Sequence, residues 1–433
     1  DHTENLKFYP SVVLKPGTVE EISQIVKYCN ECKLPITPRA AGTGQMGGAL
    51  PVSGGVVLSV ERLNSILDID VQNFQATVEA GVINYNLQVA LEPYGLLYGP
   101  DPSSWGSSFI GGNIATNAGG LRAVKYGVTS ASVYNLEVVL PNGEIIWTGA
   151  NTLKNSTGYN LTQLFIGSEG TLGIITKAVL KIVPRPETDC TLLIPFHSLD
   201  DCAKAVADIF IEGLQPCSLE LMERNALEQV MKHLEDNSIP LQEKVEAHLL
   251  ISFDGDSQKG LMSSVEKTMT VIEKYETEEI YFADNETDKS RLWQMRRKVA
   301  EIVKSNGYTI EEDTVVPRAE LPKLIKFAHQ LAEKYEVKVV CYGHAGDGNL
   351  HIRFNHPEYK NSYKNAFIQK MLKELFQYIY SLGGTISGEH GIGLIQQPYL
   401  SIVFSRANLE VQKSIKKALD PNNIMNPGKV IPV

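Results

Sequence analysis

The 433-residue chain lacks any apolar run approaching the roughly 20 residues that a transmembrane helix requires. It has no secretory h-region either. Excess positive charge is also missing: the net charge is -10 and the pI near 5.5, which argues against nucleic acid as a partner. Cysteine is sparse, with six scattered residues. Cys29 and Cys32 form one C-x-x-C, but no second pair follows, and Cys190, Cys202 and Cys217 sit in unremarkable settings. No internal iron–sulfur cluster is therefore expected, and reduced packing cysteines fit a cytoplasmic protein. The chain opens at Asp1 without a methionine, as a trimmed or renumbered product would. Histidine is scarce too: of nine, three stand inside two glycine-framed loops.

The first of those loops is Gly343-His344-Ala345-Gly346-Asp347-Gly348-Asn349-Leu350-His351. Strand formers Val337 to Cys341 lead in, and His351 to Phe354 read as a strand leading out. Its glycines permit a tight turn with positive φ, which sets both histidines at the mouth of one bend. About forty residues on comes Ser387-Gly388-Glu389-His390-Gly391-Ile392-Gly393. Two imidazoles and a carboxylate, His344, His351 and Glu389, suit a borderline metal such as zinc or manganese, with a position open for substrate. His390 would then be left to act as a base. Any one of these histidines alone reads as an ordinary loop residue; the set does not.

Elsewhere the pattern is of mixed helices and strands in two or three domains. Thr18 and Glu21 make a capping box, and Ile22, Ile25, Val26 and Cys29 keep helical spacing behind it. Leu34 to Pro38 reads as a short strand. The following Arg39-Ala40-Ala41-Gly42-Thr43-Gly44-Gln45 can curl its N–H groups into a nest for a pyrophosphate, although it lacks a Rossmann spacing. Strands are expected at 55–60 and 76–79, and a helix after Asn84. Pro100-Asp101-Pro102-Ser103-Ser104 and Ile110-Gly111-Gly112-Asn113-Ile114-Ala115-Thr116-Asn117-Ala118-Gly119-Gly120 offer many backbone donors and little bulk. Such a buried wall allows a large planar or phosphorylated ligand to approach closely. Val133–Thr148 reads as a hairpin turning at Asn142-Gly143. Leu164 to Thr176 is a third glycine-punctuated stretch, and Pro184 and Pro186 mark a boundary. The region to about Leu382 is richer in charged helices; one from Thr287 carries Arg296 at the edge of its apolar face, and another runs from Tyr363 to Tyr380. The closing stretch, Asp420 to Lys429, reads as a tail packed back onto the body.

Together these stretches resemble one family, the FAD-linked 2-hydroxy-acid dehydrogenases related to the glycolate oxidase FAD subunit, D-lactate dehydrogenases and D-2-hydroxyglutarate dehydrogenases. The motifs that carry it are Pro38 to Gly44, Pro100 to Ser104, Ile110 to Gly120, Gly158 to Leu161, Gly167 to Gly173, Gly343 to His351, Gly388 to Gly391 and Asn426 to Lys429. The resemblance implies an α+β fold. A vanillyl-alcohol-oxidase-type FAD domain of two subdomains would span 1–186, and a cap with a mainly antiparallel sheet 187–388. A segment at 389–433 would return to the flavin. It implies that pyrophosphate lies in the Arg39–Gly44 nest, with Pro38, Arg39, Ala40, Ala41, Gly42, Thr43, Gly44 and Gln45 binding the cofactor. Pro100, Asp101, Ser104, Ile110, Gly111, Gly112, Asn113, Thr116, Asn117 and Gly120 would also line the cofactor. So would Glu169, Gly170, Gly173, Ile174, Ile175 and Asn426. Because Gln45 stands where covalent members carry histidine, noncovalent FAD is expected.

The same resemblance implies His344, His351 and Glu389 as metal ligands. His390 would take the hydroxyl proton while hydride passes from substrate C2 to flavin N5. Arg296 matches the family's carboxylate-binding arginine, and Arg353, on the His351 face by strand alternation, could join it. Relatives acting on 2-hydroxyglutarate carry lysine at the position of Glu311 and threonine at that of Ala300. A like-charge contact at Glu311 thus favours a short monocarboxylate, D-lactate or glycolate, over a dicarboxylate. The rival readings are a D-2-hydroxyglutarate dehydrogenase, a metallohydrolase and a non-catalytic electron-transfer subunit. A partner subunit, an electron-transfer flavoprotein or a quinone would each serve as electron acceptor, and a homodimer and peripheral membrane attachment are both compatible with the sequence.

Overall fold

Thr18 begins the helix Val19–Glu31 by accepting from the Glu21 N–H at 3.2 Å. Glu21 reaches back one residue further than a standard box, to the Gly17 N–H at 2.6 Å. Val19, Ile22, Val26 and Cys29 form the buried face. They pack on the strands Val56–Ser59 and Ile36–Arg39, with Ile424 and Met425 from the chain's end in the same core. The computed structural model describes residues 6–235, 242–356 and 365–432. It divides into two compact units, one of Asp1–Gly120, Tyr126–Arg185 and Glu389–Val433, the other of Leu121–Lys125 and Pro186–Gly388.

The first unit contains a parallel three-stranded sheet in the order Val12–Leu14, Val56–Ser59, Ile36–Arg39. Its larger sheet is antiparallel, in the order Ile66–Asp70, Gln75–Glu79, Ile174–Lys181, Val133–Val139, Ile145–Trp147. Gly143, at φ 82°, makes the expected turn of the 133–148 hairpin. The stretch from Ile110, expected as a buried wall, is buried and begins with a short helix, Ile110–Thr116. Ile110 and Ile114, four apart, are both fully buried and hold it against the core.

The second unit is built on a seven-stranded, wholly antiparallel sheet. Its order is Tyr281–Ala283, Thr188–Phe196, Ala247–Gly255, Ser218–Glu223, Lys338–Gly343, Asn349–Asn355, Ile310–Val315. The helices Arg224–Leu234 and Glu286–Ser305 share a core with residues of these strands, among them Leu250, Met222, Val340 and Tyr342. The helix expected from Tyr363 is described from Ala366 to Ser381, Tyr363 itself lying outside the described residues. Among the described residues no helix is long and apolar enough to cross a membrane.

Candidate active site

In the first unit the glycine-rich stretches converge by backbone approach. A Cβ on Gly170 would lie 3.0 Å from Pro38 Cγ, one on Gly112 3.0 Å from Ala40 Cβ, and one on Gly111 2.7 Å from Ala80 Cβ. Gly120, at φ 145°, lies directly against the Asp101 carbonyl. The predicted residues of the 38–45, 100–104, 110–120 and 169–175 stretches are thus brought together in one unit. Gly119 abuts Glu389: a Cβ there would lie 2.8 Å from the carboxylate. His390 Nε2 is 3.8 Å from Glu389 Oε1.

The chain's end clamps this floor. Glu169, at φ 50°, is buried and accepts from the N–H groups of Ile392 at 2.7 Å and Gly393 at 3.0 Å. Burial raises its pKa, although these bonds and nearby Lys429 oppose the shift. Asn426 donates to the carbonyls of Gly48 at 2.9 Å and Glu169 at 2.8 Å. Lys429 also bonds to the Leu50 carbonyl, and burial lowers its pKa to about 8.

The residues present fit a flavin dinucleotide. Asn113 Nδ2 and Ser108 Oγ are buried and meet no hydrogen-bond partner among the described residues. A buried polar group left so would cost about 1–3 kcal/mol without a ligand. A Cβ on Gly44 would meet nothing within 4 Å, which leaves that part of the predicted nest open.

In the second unit the site is made of buried charge. His344 follows the strand Lys338–Gly343, and a one-turn 3-10 segment, Ala345–Asp347, returns the chain to the strand Asn349–Asn355 carrying His351. Gly348, at φ 74°, lies so close to the Val316 carbonyl that no side chain fits. The two imidazole rings stand 5.4 Å apart, edge to face. His344 Nδ1 lies 2.8 Å from Glu220 Oε1. Burial alone would raise the Glu220 pKa, but the charges and hydrogen bonds of His344 and Arg296 outweigh it and hold it below its ordinary value. An ionised carboxylate only accepts, so Nδ1 carries a proton, and once the ring gives up its charge the lone pair falls on Nε2, the tautomer of a metal-ligating histidine. The donor chemistry therefore fits a metal.

Arg296, placed by its helix position at the edge of an apolar face, is buried. Its guanidinium grips Glu220, with Nε at 2.8 Å and Nη2 at 2.6 Å. Arg353 is bound on each nitrogen: Nε to Tyr342 Oη at 2.6 Å, Nη1 to the Tyr308 carbonyl at 3.1 Å, and Nη2 to Glu311. It is thus an anchor for Glu311 before it is a substrate clamp. Asp313 accepts from Asn349 Nδ2 at 2.7 Å and from the Gly388 N–H at 2.9 Å, fixing the segment that precedes Glu389. Glu220 and Asp313 are structural partners that sequence reading missed. The only signal for Glu220 is an acid between Leu219 and Leu221 on a strand, and Asp313 is masked as the third of three consecutive acids. His344 and His351 belong to the second unit, Glu389 and His390 to the first.

Two family profiles match the chain: "FAD binding domain" over residues 10–149 and "FAD linked oxidases, C-terminal domain" over residues 185–430. The chain belongs to the FAD-linked oxidase family. Within it the chain is 40% identical to the "Glycolate oxidase subunit GlcD" of Bacillus subtilis, covering 99% of this chain and 91% of that one. It is 37% identical to the "D-lactate dehydrogenase" of Anaerostipes hadrus, over 98% and 90% of the two chains. With the "D-2-hydroxyglutarate dehydrogenase" of Stutzerimonas stutzeri it shares 31% identity, over 99% and 93%. The solved structure of p-cresol methylhydroxylase superposes with a TM-score of 0.78 at 20% identity, covering 97% of this chain and 88% of that one. A 4-ethylphenol oxidase from Gulosibacter chungangensis gives 0.76 at 19% identity, over 99% and 90%. This FAD-linked oxidase therefore has the vanillyl-alcohol-oxidase-type α+β fold and is an oxidoreductase of the glycolate oxidase, D-lactate and D-2-hydroxyglutarate dehydrogenase type.

Proposed function

We propose that the protein is an FAD-dependent dehydrogenase that oxidises a short D-2-hydroxy acid, D-lactate or glycolate, to the 2-oxo acid. The observation that carries this reading is the contact of His344 Nδ1 with Glu220, beside His351, an arrangement suited to ligation through Nε2 and of no use to a bare electron carrier. In this reading FAD is held noncovalently by the glycine-built floor of the first unit. His344, His351 and Glu389 hold a divalent ion, zinc or manganese. The bound flavin supplies the hydride acceptor and the ion supplies the positive charge that acidifies the substrate hydroxyl. His390 takes the hydroxyl proton, a task for a positioned base. Arg296, whose orientation Glu220 sets, offers its remaining N–H groups to the substrate carboxylate.

Substrate length follows from Glu311. Bridged to Arg353, it forms a neutral pair that offers a second carboxylate no net attraction, in place of the like-charge repulsion expected of Glu311 alone. Anaerobic titration of the flavin with a panel of hydroxy acids tests the proposal. D-lactate or glycolate should bleach the flavin with higher kcat/KM than D-2-hydroxyglutarate, and exhaustive chelation should abolish bleaching reversibly. A clear preference for D-2-hydroxyglutarate would overturn the substrate assignment, and full activity in metal-free protein would overturn the metal.

A further inference from the structure

The seven-stranded sheet carries a second group of metal-ligating side chains, on the face opposite Glu220 and His344. Pairing of Leu221 with Gly343 and of Met222 with Tyr342, carried one step on, sets Glu223 beside Cys341. Because side chains alternate along a strand, Glu223 and Cys341 point to one face while Glu220, Met222 and Tyr342 point to the other. The helix Leu321–Lys334 brings His329 to the Glu223 face, with Nε2 2.6 Å from Glu223 Oε1. One ligating atom from each of Glu223, His329 and Cys341 lies within 4.8 Å of the other two. All three residues belong to the second unit.

We propose that Glu223, His329 and Cys341 form a binding site for a borderline divalent cation of the zinc class. A thiolate, an imidazole and a carboxylate are the donors zinc takes, and three protein ligands leave a fourth position for water. Glu223 and Cys341 are buried, whereas the His329 side chain is 45% exposed, so the cluster has a route to solvent. Without the cation, the Cys341 thiol bonds to Glu223, and burial together with that carboxylate keeps it protonated. Entry of the cation displaces the thiol proton to solvent, and the thiolate and carboxylate then share one positive centre where they would otherwise repel. Glu246 adds negative charge near His329 and supports the same sign of ligand. The Glu223 and Cys341 side chains lie on the sheet face away from Glu220, so the part of this site is structural.

The FAD-bound protein is loaded with cobalt(II) under anaerobic conditions, and the difference spectrum is recorded against the metal-free form. Expected is a thiolate-to-cobalt charge-transfer band, lost in Cys341→Ser. The His344, His351 and Glu389 set contains no sulfur, so that band cannot arise from it. Should Cys341→Ser fail to fold, His329→Gln, altered at an exposed residue, replaces it; its zinc content by elemental analysis should be one ion per chain below wild type, with hydroxy-acid oxidation unchanged. Absence of the charge-transfer band from wild type, or equal zinc in wild type and His329→Gln, would overturn the proposal.

Discussion

In the first unit, position is set by backbone: Gly111, Gly112, Gly120 and Gly170 let neighbouring segments come closer than any side chain would permit. In the second unit the same task falls to side chains: Glu220 orients His344 and Arg296, and Glu311 is tied to Arg353. The difference matches what the proposed function asks each half to hold. A large ligand with many acceptors is gripped by N–H groups that need no charge. A small anion and a cation need fixed charges, and fixed charges in a buried sheet survive only in pairs. The two units should therefore fail in different ways, the second by losing chemistry and stability, the first by losing cofactor.

The largest effect is expected where proton transfer is assigned. His390→Asn should slow flavin reduction by about 10²–10⁴ while FAD and metal contents stay normal. Near-normal reduction together with lost metal would show His390 to be a ligand. Next comes Glu220→Leu, which strands the buried Arg296 and should cost about 3–5 kcal/mol in denaturant unfolding. The double replacement Glu220→Leu with Arg296→Leu should recover part of that stability without recovering activity. Equal destabilisation in the single and double variants would mean that the pair is not the support described.

His248 sharpens the comparison through pH. It lies fully buried on the strand Ala247–Gly255, and burial, with a smaller contribution from nearby Arg224, lowers its pKa to about 4. A depressed histidine contributes stability that is present above its ordinary pKa of 6.5 and is lost as pH falls towards 4. The loss amounts to roughly 3 kcal/mol when complete. In His248→Leu the fall in Tm between about pH 7 and about pH 4.5 should be smaller than in wild type; parallel curves would remove His248 from the account. The smallest effect is expected from Gly111→Ala, where overpacking against Ala80 costs about 1–3 kcal/mol. The flavin-to-protein ratio should drop before the fold is lost. An unchanged ratio would show that the helix Ile110–Thr116 is not part of the cofactor floor.

Much of this was legible before any fold was seen. Thr18 with Glu21, the Asn142-Gly143 turn and the apolar spacing of Ile22, Val26 and Cys29 are local signals, and local backbone geometry answers to them. The Ile110 stretch is buried, as its apolar residues imply, but its helix is not legible in its glycines; two isoleucines four apart, fully buried, outweigh the low helix propensity of those glycines. Ile310 to Val315, with three consecutive acids, looks like a solvated strand and is buried.

By itself, then, the sequence determined where the chain must turn tightly and which histidines, glycines and carboxylates stand ready, because φ, turn type and side-chain chemistry belong to each residue and its neighbours. Strand order decided the rest. Glu220 meets Arg296 across 76 residues and His344 across 124, and no property of Glu220 alone says which cation it will face or that it will be buried at all. Such pairs exist only once the sheet has brought distant strands side by side, since the energy of a buried charge depends on its partner and on the water both have lost.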